Sequence, residues 1–259
     1  MALTKVIGDG LGGTNDLTVD TDTLKVDSTN DKVGINTASP SDYYSDELVV
    51  TAADEGGITI VNSTTHRGYL NFADGTSGDA RYRGYISYDH NTDDLYLGSG
   101  GSGHIHVGST GTVLMPNQPS FNAILSGHIT ISTLNAYNDL VFGTERFDQN
   151  GDYNTSDGVF TAPITGRYLL TTSLYLFNSL DSAATYYYMA IRTTNETVDV
   201  YFETSTFLNS DSNGFNMQAS SIQDMSAGDT AKISIYQAGG SAQTQIAGGH
   251  SHFSGALIC

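Results

Sequence analysis

The chain contains 259 residues, of which 28 are acidic and 10 are Lys or Arg, so its formal net charge at pH 7 is −18. A surface of this sign opposes association with nucleic acid or with an anionic membrane. The single cysteine, Cys259, excludes an internal disulfide, and the segment after Met1 has no apolar run of the length that a signal peptide or a membrane-spanning helix needs. Turn-forming residues are frequent and no helical periodicity extends beyond about two turns, which predicts an all-β chain.

The first segment, residues 1–45, contains two copies of a short alternating unit, Asp16–Asp20 and Thr23–Asp27. Each unit is too short to bury its apolar face alone, so neighbouring units or neighbouring chains must cover it. The run Leu17–Ser41 resembles the segment that precedes the shaft in many phage tail fibres and other virion fibres. This resemblance implies that residues 1–45 attach the protein to a virion tail or capsid protein.

The second segment, residues 46–117, is predicted to form a β-rich shaft. Short alternating runs stand between turns rich in Gly, Asp and Asn; they are Leu48–Val61, Tyr69–Phe72, Arg81–Tyr88, Asp94–Leu97 and His104–Val107. These runs resemble the shafts of phage fibres and spikes, in which three chains intertwine around one axis, and there is no Gly-X-Y repeat of a collagen stalk. The connector Val113–Pro119 carries two prolines, which predict an extended path and an end to strand pairing.

His104 and His106 are the candidate metal ligands of the shaft. They lie two residues apart, so a strand places both imidazoles on one face. On a threefold axis the pair would supply six nitrogens to a transition metal, a geometry that phage fibre tips use to hold iron. The alternative is that both are ordinary polar-face histidines beside glycine turns, and the same two interpretations apply to His250 and His252.

The third segment, residues 118–259, has the alternation of a β-sandwich. Gly158–Pro163 predicts a strand that ends at a proline. In Arg167–Phe177 one set of alternate positions is apolar and the other is mixed, as in a strand that faces a core on one side. Gly228 and Asp229 predict a hairpin-type turn before another alternating strand.

Residues of this third segment together resemble the globular head of the complement C1q family; they are Asn150, Tyr153, Gly158, Phe160, Ala162, Pro163, Gly166, Tyr168, Gly228, Asp229, Phe253, Ser254, Gly255 and Leu257. The resemblance covers roughly Gln118–Cys259. It implies a C1q-like jelly-roll head, a homotrimer, and a function in binding rather than in catalysis. Two features depart from the family pattern: the chain has no tryptophan, and its last strand lacks the usual final aromatic residues.

Tyr186, Tyr187 and Tyr188 must alternate between the two faces of a strand. One face belongs to the predicted sandwich core, and the other faces solvent or a neighbouring subunit. Rows of exposed tyrosine are uncommon, so we predict that the outward set is buried at a subunit interface.

Receptor binding is assigned to three loops at one end of the predicted jelly roll, Asn178–Thr185, Asn209–Phe215 and Gly239–His250, because loops are free to vary while packed strands are not. Their polar side chains offer adaptable hydrogen bonds to sugars or proteins. The candidate contact residues are Asn178, Asp181, Asn209, Asp211, Asn213, Phe215, Gln243 and Gln245. The alternative for each loop is a solvated connection without a binding role.

These features predict a non-enzymatic virion structural protein, a trimeric fibre or spike whose head binds a glycan or protein receptor on the host surface. It would be made in the host cytoplasm and located in the virion, without nucleic-acid binding or membrane insertion. A capsid head fibre or decoration protein is the alternative within the virion class. The enzymatic alternative is a capsule depolymerase, whose usual long β-helix does not fit a shaft of about seventy residues. The acidic residues Glu145, Asp148, Asp152 and Asp157 are interpreted as turn residues rather than as a glycosidase pair.

Overall fold

The computed structural model describes residues 17–19, 23–27, 29–177, 180–204, 208–211 and 214–259. Over these residues the chain forms 22 β-strands, numbered below in chain order, and two short 3-10 helices, Pro40–Asp42 and Gly78–Tyr82, so the predicted all-β class is confirmed. No helix within the described residues is apolar and long enough to cross a membrane. The chain divides into two compact units, one drawn from the residues up to Tyr69 together with Tyr88–Asn91, the other formed by Leu70–Ser87 and Thr92–Cys259.

The first unit contains a small sheet near the start of the chain. Its strands are β1 (Leu17–Val19), β2 (Leu24–Asp27), β3 (Lys32–Ile35) and β4 (Leu48–Val50), in that order, with β4 parallel to β3 and the other pairs antiparallel. The two predicted repeat units are therefore hairpin neighbours. Asp27 fixes the turn after β2, because its Oδ1 accepts hydrogen bonds from the backbone N–H groups of Thr29 and Asn30, both at 3.1 Å.

Five further strands form a second sheet in chain order: β5 (Arg67–Phe72), β6 (Gly84–Asp89), β7 (Asp94–Ser99), β8 (Ser102–Val107) and β9 (Val113–Leu114). Two sequence expectations are wrong in detail here. The run predicted as a strand from Arg81 begins in a 3-10 helix, and β4 is the only strand in the run Leu48–Val61. The apolar side chains after β4 find no cover within the chain, since Ile58 and Ile60 are 70% and 51% exposed.

The connector between these strands and the head also differs from the prediction of an extended, unpaired path. Val113 and Leu114 still pair with β8, and the N–H of Gln118 then donates to the carbonyl of Met115 at 3.0 Å, which closes a turn. The side-chain amide of Gln149 donates to the carbonyls of Met115 and Gln118 at 2.8 and 2.9 Å. The prolines therefore end strand pairing only after Leu114, and side-chain hydrogen bonds hold the connector to the following strands.

The remaining strands are β10 (Ser120–Ile124), β11 (Ile129–Thr130), β12 (Tyr137–Leu140), β13 (Thr144–Asp148), β14 (Tyr153–Asn154), β15 (Val159–Thr161), β16 (Gly166–Phe177), β17 (Tyr186–Thr193), β18 (Thr197–Glu203), β19 (Phe215–Met225), β20 (Thr230–Ala238), β21 (Gln245–Ile246) and β22 (His252–Leu257). They form two antiparallel sheets. The first has the central order β10–β22–β16–β19, and the second has the order β15–β20–β17–β18 with β12 also beside β20. The chain crosses between the sheets after β11, β12, β13, β15, β16, β18, β19 and β20, which is the arrangement of a jelly roll.

The core lies between these two sheets, and aromatic rings fill its centre. The ring of Phe121 stacks on those of Tyr153 and Phe160 at 4.8 and 4.9 Å and meets the ring of Phe253 edge-on at 4.9 Å. Tyr153 satisfies its buried hydroxyl by donating to the carbonyl of Phe142 at 3.2 Å. Burial raises the pKa of Tyr153, so this hydroxyl stays a donor at any physiological pH.

Candidate functional site

The three predicted binding loops meet at one residue, Asp211. The backbone N–H and the hydroxyl of Ser182 both donate to Asp211 Oδ1 at 2.9 Å. From the third loop, Gln243 Nε2 donates to Asp211 Oδ2 at 2.7 Å. The hydrogen bonds from Ser182, backbone first, and then from Gln243 lower the pKa of Asp211, so the carboxylate is charged at neutral pH and joins the three loops.

Beneath this contact, Asp181 fixes the same loops from inside. It was predicted as a receptor contact, but its side chain is only 3% exposed. Its Oδ1 accepts from the N–H of Ala183 at 2.8 Å, and its Oδ2 accepts from the N–H of Ser241 in the third loop. Gly240 makes room for this carboxylate, because a Cβ on Gly240 would lie 2.1 Å from Asp181 Oδ2. Its φ is +73°, and that of the preceding Gly239 is +69°. Asp181 is therefore a positioning residue rather than a contact residue.

The other predicted contact residues divide into exposed and packed positions. Asn209 is exposed at the surface beside Asp211. Phe215 stacks on Phe202 with the ring centroids 3.9 Å apart and packs against the core, so it is not a free apolar anchor. Gln245 lies in β21, opposite Thr130 and Phe177. Asn178 and Asn213 lie outside the described residues.

The histidines of β8 make contacts within the chain. His104 Nε2 lies 2.9 Å from the carbonyl of Ser99, and Asn117 Nδ2 lies 2.8 Å from His104 Nδ1, so both ring nitrogens have hydrogen-bond partners. The ring of His106 stacks on Tyr96 at 4.6 Å, with its Nε2 3.3 Å from Asp94 Oδ2. A metal on either ring nitrogen of His104 requires that the hydrogen bond at that nitrogen break. Within the described part of the chain no group of three or more His, Cys, Asp or Glu side chains forms a metal site, and the metal on a threefold axis stays a prediction.

Two of the acidic residues near β13, Asp148 and Asp157, accept hydrogen bonds from the backbone. Asp148 accepts hydrogen bonds from the backbone N–H groups of Gly151, Asp152 and Tyr153, at 3.0, 3.2 and 2.9 Å. Asp157 accepts from the N–H of Val159 at 3.1 Å. These contacts are those of turn residues, which is how the sequence analysis interpreted them.

A second feature lies on the outer face of the second sheet and includes Tyr186 and Tyr188, whose burial at a subunit interface stays a prediction. Tyr188 stands directly opposite Tyr201 on one side and Tyr236 on the other, and Tyr236 stands opposite Tyr137. Tyr186 occupies the same face two residues before Tyr188. We call these five residues the tyrosine face. The alternation of Tyr186, Tyr187 and Tyr188 was the available signal in the sequence, but only the strand register shows that four tyrosines form one row.

The rings of the tyrosine face contact one another throughout. The centroid distances are 5.3 Å for Tyr188 and Tyr201, 5.9 Å for Tyr188 and Tyr236, 5.5 Å for Tyr137 and Tyr236, and 4.9 Å for Tyr186 and Tyr188. Tyr201 is 50% exposed and Tyr137 is 37% exposed. Burial, then Glu203 and neighbouring tyrosines, raise the pKa of Tyr201. Burial, then neighbouring tyrosines, raise the pKa of Tyr236. Both hydroxyls therefore remain protonated and can donate hydrogen bonds.

Charged groups in fixed positions border the tyrosine face. The Tyr137 hydroxyl donates to Asp199 Oδ1 at 3.1 Å, and the guanidinium of Arg192 lies 4.8 Å from the centre of the Tyr137 ring. Arg192 Nη1 also donates to Asp139 Oδ1 at 3.1 Å, and Lys232 Nζ donates to Asp139 Oδ2. Burial opposes ionisation of Asp139, but the bonds from Lys232 and from a serine hydroxyl lower its pKa overall. Both cations of this face are thus engaged by Asp139.

Comparison with known proteins adds only a likeness in fold. No protein-family model matches the chain, and no curated protein matches it. Among solved structures, the chain is similar to the globular domain of zebrafish complement 1qA protein, at 18% identity, with 55% of this chain and 98% of that chain covered and a TM-score of 0.40. It is also similar to murine APRIL at pH 8.0, at 8% identity, with 55% of this chain and 100% of that chain covered and a TM-score of 0.40. The assignment of a jelly roll depends on the strand order given above.

Proposed function

We propose that this chain is a non-enzymatic virion protein, one subunit of a trimeric fibre or spike that is attached through its N-terminal segment and binds a host-surface receptor with its C1q-like head. One observation carries the proposal: the loops joined by Asp211 lie at the end of the jelly roll opposite to the end at which the chain enters it. A binding surface that points away from the connector is the arrangement that a receptor-binding tip requires.

The strand β16 separates these two ends. At its start, the N–H of Arg167 donates to the carbonyl of Cys259 at 2.7 Å, and close by the N–H of Leu257 donates to the carbonyl of Pro119 in the connector at 3.0 Å. The strand then runs for 12 residues to Phe177, a length of about 40 Å at the usual rise per residue. The loop that contains Ser182 begins there.

Exposed apolar side chains support the proposed trimer. Val61 is 84% exposed, Ile58 70%, Phe72 59% and Leu48 57%. Soluble proteins rarely leave so many large apolar groups in water, and neighbouring chains wound around a common axis would cover them. Mass measurement in solution should therefore give three times the chain mass of 27.5 kDa. A stable monomer at micromolar concentration contradicts the trimer.

The receptor-binding part of the proposal is tested by adsorption to host cells. Fluorescently labelled protein should bind host cells saturably, and unlabelled protein should compete with the virus. Three copies of one weak site raise the apparent affinity by avidity, by about a hundredfold or more. Replacing residues 209–214 with a Gly-Ser loop should reduce competition at least about tenfold if the loop contains a principal contact.

A matched variant controls for charge and folding in this experiment. Asp224→Ala removes an acidic group whose side chain is 83% exposed on β19, so it removes the same negative charge as the loss of Asp211 without touching the loops. It should compete as well as the unmodified protein. If the protein with all three loops replaced remains trimeric and competes undiminished, the loops are not the receptor site.

The attachment of the protein to the virion is a separate part of the proposal. The N-terminal segment is proposed to bind a tail protein, and a capsid protein is the alternative. Electron microscopy of virions labelled with an antibody against the head distinguishes the two, because the label appears either at the tail or over the capsid. Absence of label from purified virions contradicts the virion assignment.

A further inference from the structure

We propose that the tyrosine face is a binding site for an uncharged oligosaccharide. The site lies on the outer face of the second sheet, and its member Tyr186 follows directly after the loop that contains Ser182. The inference is independent of the proposed function, because it concerns a property of the isolated chain and holds whether or not the loops bind a receptor.

The first step is the shape of the surface. Tyr201, Tyr188, Tyr236 and Tyr137 occupy directly opposed positions on four adjacent strands, so the row extends over three strand spacings, or about 14 Å. Tyr186 widens it by two residues along the strand, about 7 Å. The result is a narrow aromatic strip of about 100 Å², far smaller than the roughly 800 Å² per partner that a stable protein complex buries. The strip fits a chain of a few sugar rings better than a second copy of this protein.

The second step is the chemistry of the rings. The face of an aromatic ring is electron-rich, and the C–H groups on one side of a pyranose ring are weakly positive, so sugars pack their C–H surfaces against tyrosine. The same tyrosines carry protonated hydroxyls at their edges, which donate to and accept from sugar hydroxyls. An entirely apolar partner would leave these hydroxyls without hydrogen bonds, at a cost in free energy.

The third step is the charge around the strip. Arg192 and Lys232, the two cations on this face, are already bound to Asp139. Asp199 uses its carboxylate to accept the Tyr137 hydroxyl, and a carboxylate has further acceptor positions. The border of the strip therefore offers acceptors for sugar hydroxyls. Because both cations of this face already pair with Asp139, its described residues offer no unpaired cation to a sulfate or a sialic acid carboxylate, and an uncharged chain fits the strip better.

The fourth step is the rigidity of the strip. Four of its five members stand on three long strands, β17, β18 and β20, and each ring rests against at least one other ring. Tyr137 is held at both ends of its side chain, by the ring of Tyr236 and by Asp199. Little conformational entropy is lost when a ligand binds to side chains that are already ordered, so even a shallow site of this kind gains affinity.

Saturation-transfer NMR with the full chain tests the proposal. The uncharged probes are maltohexaose, cellohexaose and N-acetylchitohexaose, and the anionic probe is a heparin-derived hexasaccharide. At least one uncharged probe should receive saturation and give a titratable affinity, whereas the anionic probe should not bind. Absence of transfer to all three uncharged probes at millimolar concentration overturns the proposal, as does binding of the anionic probe alone.

Variants then place the sugar on the strip. Tyr201→Ala should weaken binding about tenfold, the effect of removing one central aromatic contact, and Tyr201→Phe should retain most of the affinity because the ring remains. Asp199→Asn, which preserves the shape of the side chain, should weaken binding if the carboxylate accepts sugar hydroxyls. Ile222→Ala is the matched control, since it removes a side chain that is 59% exposed on the other sheet.

The same set of proteins separates this site from the loops. Asp211→Ala should leave sugar binding unchanged, because the hydrogen bonds of Asp211 go to Ser182 and Gln243 and not to the tyrosines. If Asp211→Ala abolishes binding while Tyr201→Ala and Asp199→Asn do not change it, the sugar binds at the loops and the tyrosine face is not the site. Circular dichroism spectra and melting temperatures check that each variant is folded.

Discussion

Adding one methyl group at Gly255 should destabilise the head, because two core side chains occupy the space above this glycine. Gly255 lies in β22 between β10 and β16, directly opposite Phe121 on one side and Leu170 on the other. A Cβ at this position would lie 2.6 Å from Phe121 Cε1 and 3.0 Å from Leu170 Cδ2. Carbon atoms pack favourably at about 3.5–4.0 Å, so Gly255→Ala forces an overlap of roughly 1 Å with the aromatic ring.

Phe121 cannot easily move away from the added methyl group. Its ring is 1% exposed, and it is held between Tyr153 and Phe160 with Phe253 against its edge. Overpacking of such a site costs about 1–3 kcal/mol, and we take the upper part of that range because the ring is confined. Replacing glycine by alanine in a strand returns about 0.5–1 kcal/mol of backbone entropy. The net loss is therefore about 2 kcal/mol, or roughly 4–8 °C in melting temperature for a domain of this size.

Thermal unfolding followed by circular dichroism measures the effect on the full chain. Gly127→Ala is the matched control, since a Cβ on Gly127 has no atom within 4 Å and its change in stability should stay within about 0.5 kcal/mol. Phe121→Leu in the Gly255→Ala background should recover part of the loss, as a coupling between neighbouring residues. If Gly255→Ala melts at the same temperature as Gly127→Ala, the packing of Phe121 against β22 described here is incorrect.

Three further predictions concern pH dependence and the loops. Burial, then the charge of Asp148, raise the pKa of Asp152. The contribution of Asp152 to stability is complete below the ordinary value of 3.8 and is lost as the pH rises through the raised value. Asp152→Asn should therefore melt higher than the unmodified protein at pH 7 and lose that advantage in acid. Burial lowers the pKa of His252. The contribution of His252 to stability is present above the ordinary value of 6.5 and is lost as the pH falls through the lowered value. Thermal melts should therefore show a smaller loss of stability between neutral and acidic pH for His252→Gln than for the unmodified protein. Gly240→Ala should cost at least about 2 kcal/mol in urea unfolding, because it places alanine at a positive φ and displaces Asp181 from its buried hydrogen bonds, and an unchanged midpoint contradicts the role assigned to Asp181.

The strands of the head and the direction of their side chains could be predicted from the sequence. In the run Arg167–Phe177 the alternation identified Tyr168, Leu170, Leu174 and Leu176 as one face, and the structure buries all four. This works because a strand with one buried face must repeat every two residues whatever its neighbours are. The turn at Gly228 and Asp229 was also predicted from its local residues. It joins strands of different sheets, β19 and β20, and not the two strands of a hairpin.

The contacts that form the two candidate sites could not be predicted in the same way. Asp211 lies 29 residues from Ser182 and 32 from Gln243, and the three meet only because the crossovers of the jelly roll bring their loops to one end. Tyr188 and Tyr236 become neighbours through the register of two strands, which the alternation of each strand leaves open to shifts of two residues. The burial of Asp181 depends on a loop conformation that Gly240 permits, and the sequence showed only that a polar loop was present.

The two candidate sites lie on one rigid sandwich, so we expect them to act together in adhesion. A site at the end of the jelly roll engages a surface that the head meets tip first, whereas the tyrosine face lies along the side of the strands and engages chains that extend away from that surface. Because the long strands connect both sites, binding at one restricts the orientation of the other, and the second contact forms at a raised effective concentration. In the proposed trimer, two weak sites in each of three copies would then hold the proposed particle although neither site could hold it alone. Tyr201→Ala should accordingly weaken adsorption to cells by a larger factor than it weakens the binding of an isolated oligosaccharide. The two factors are measured on the same variant, one by cell binding and the other by sugar titration. Equal losses in the two assays show that the sites act independently.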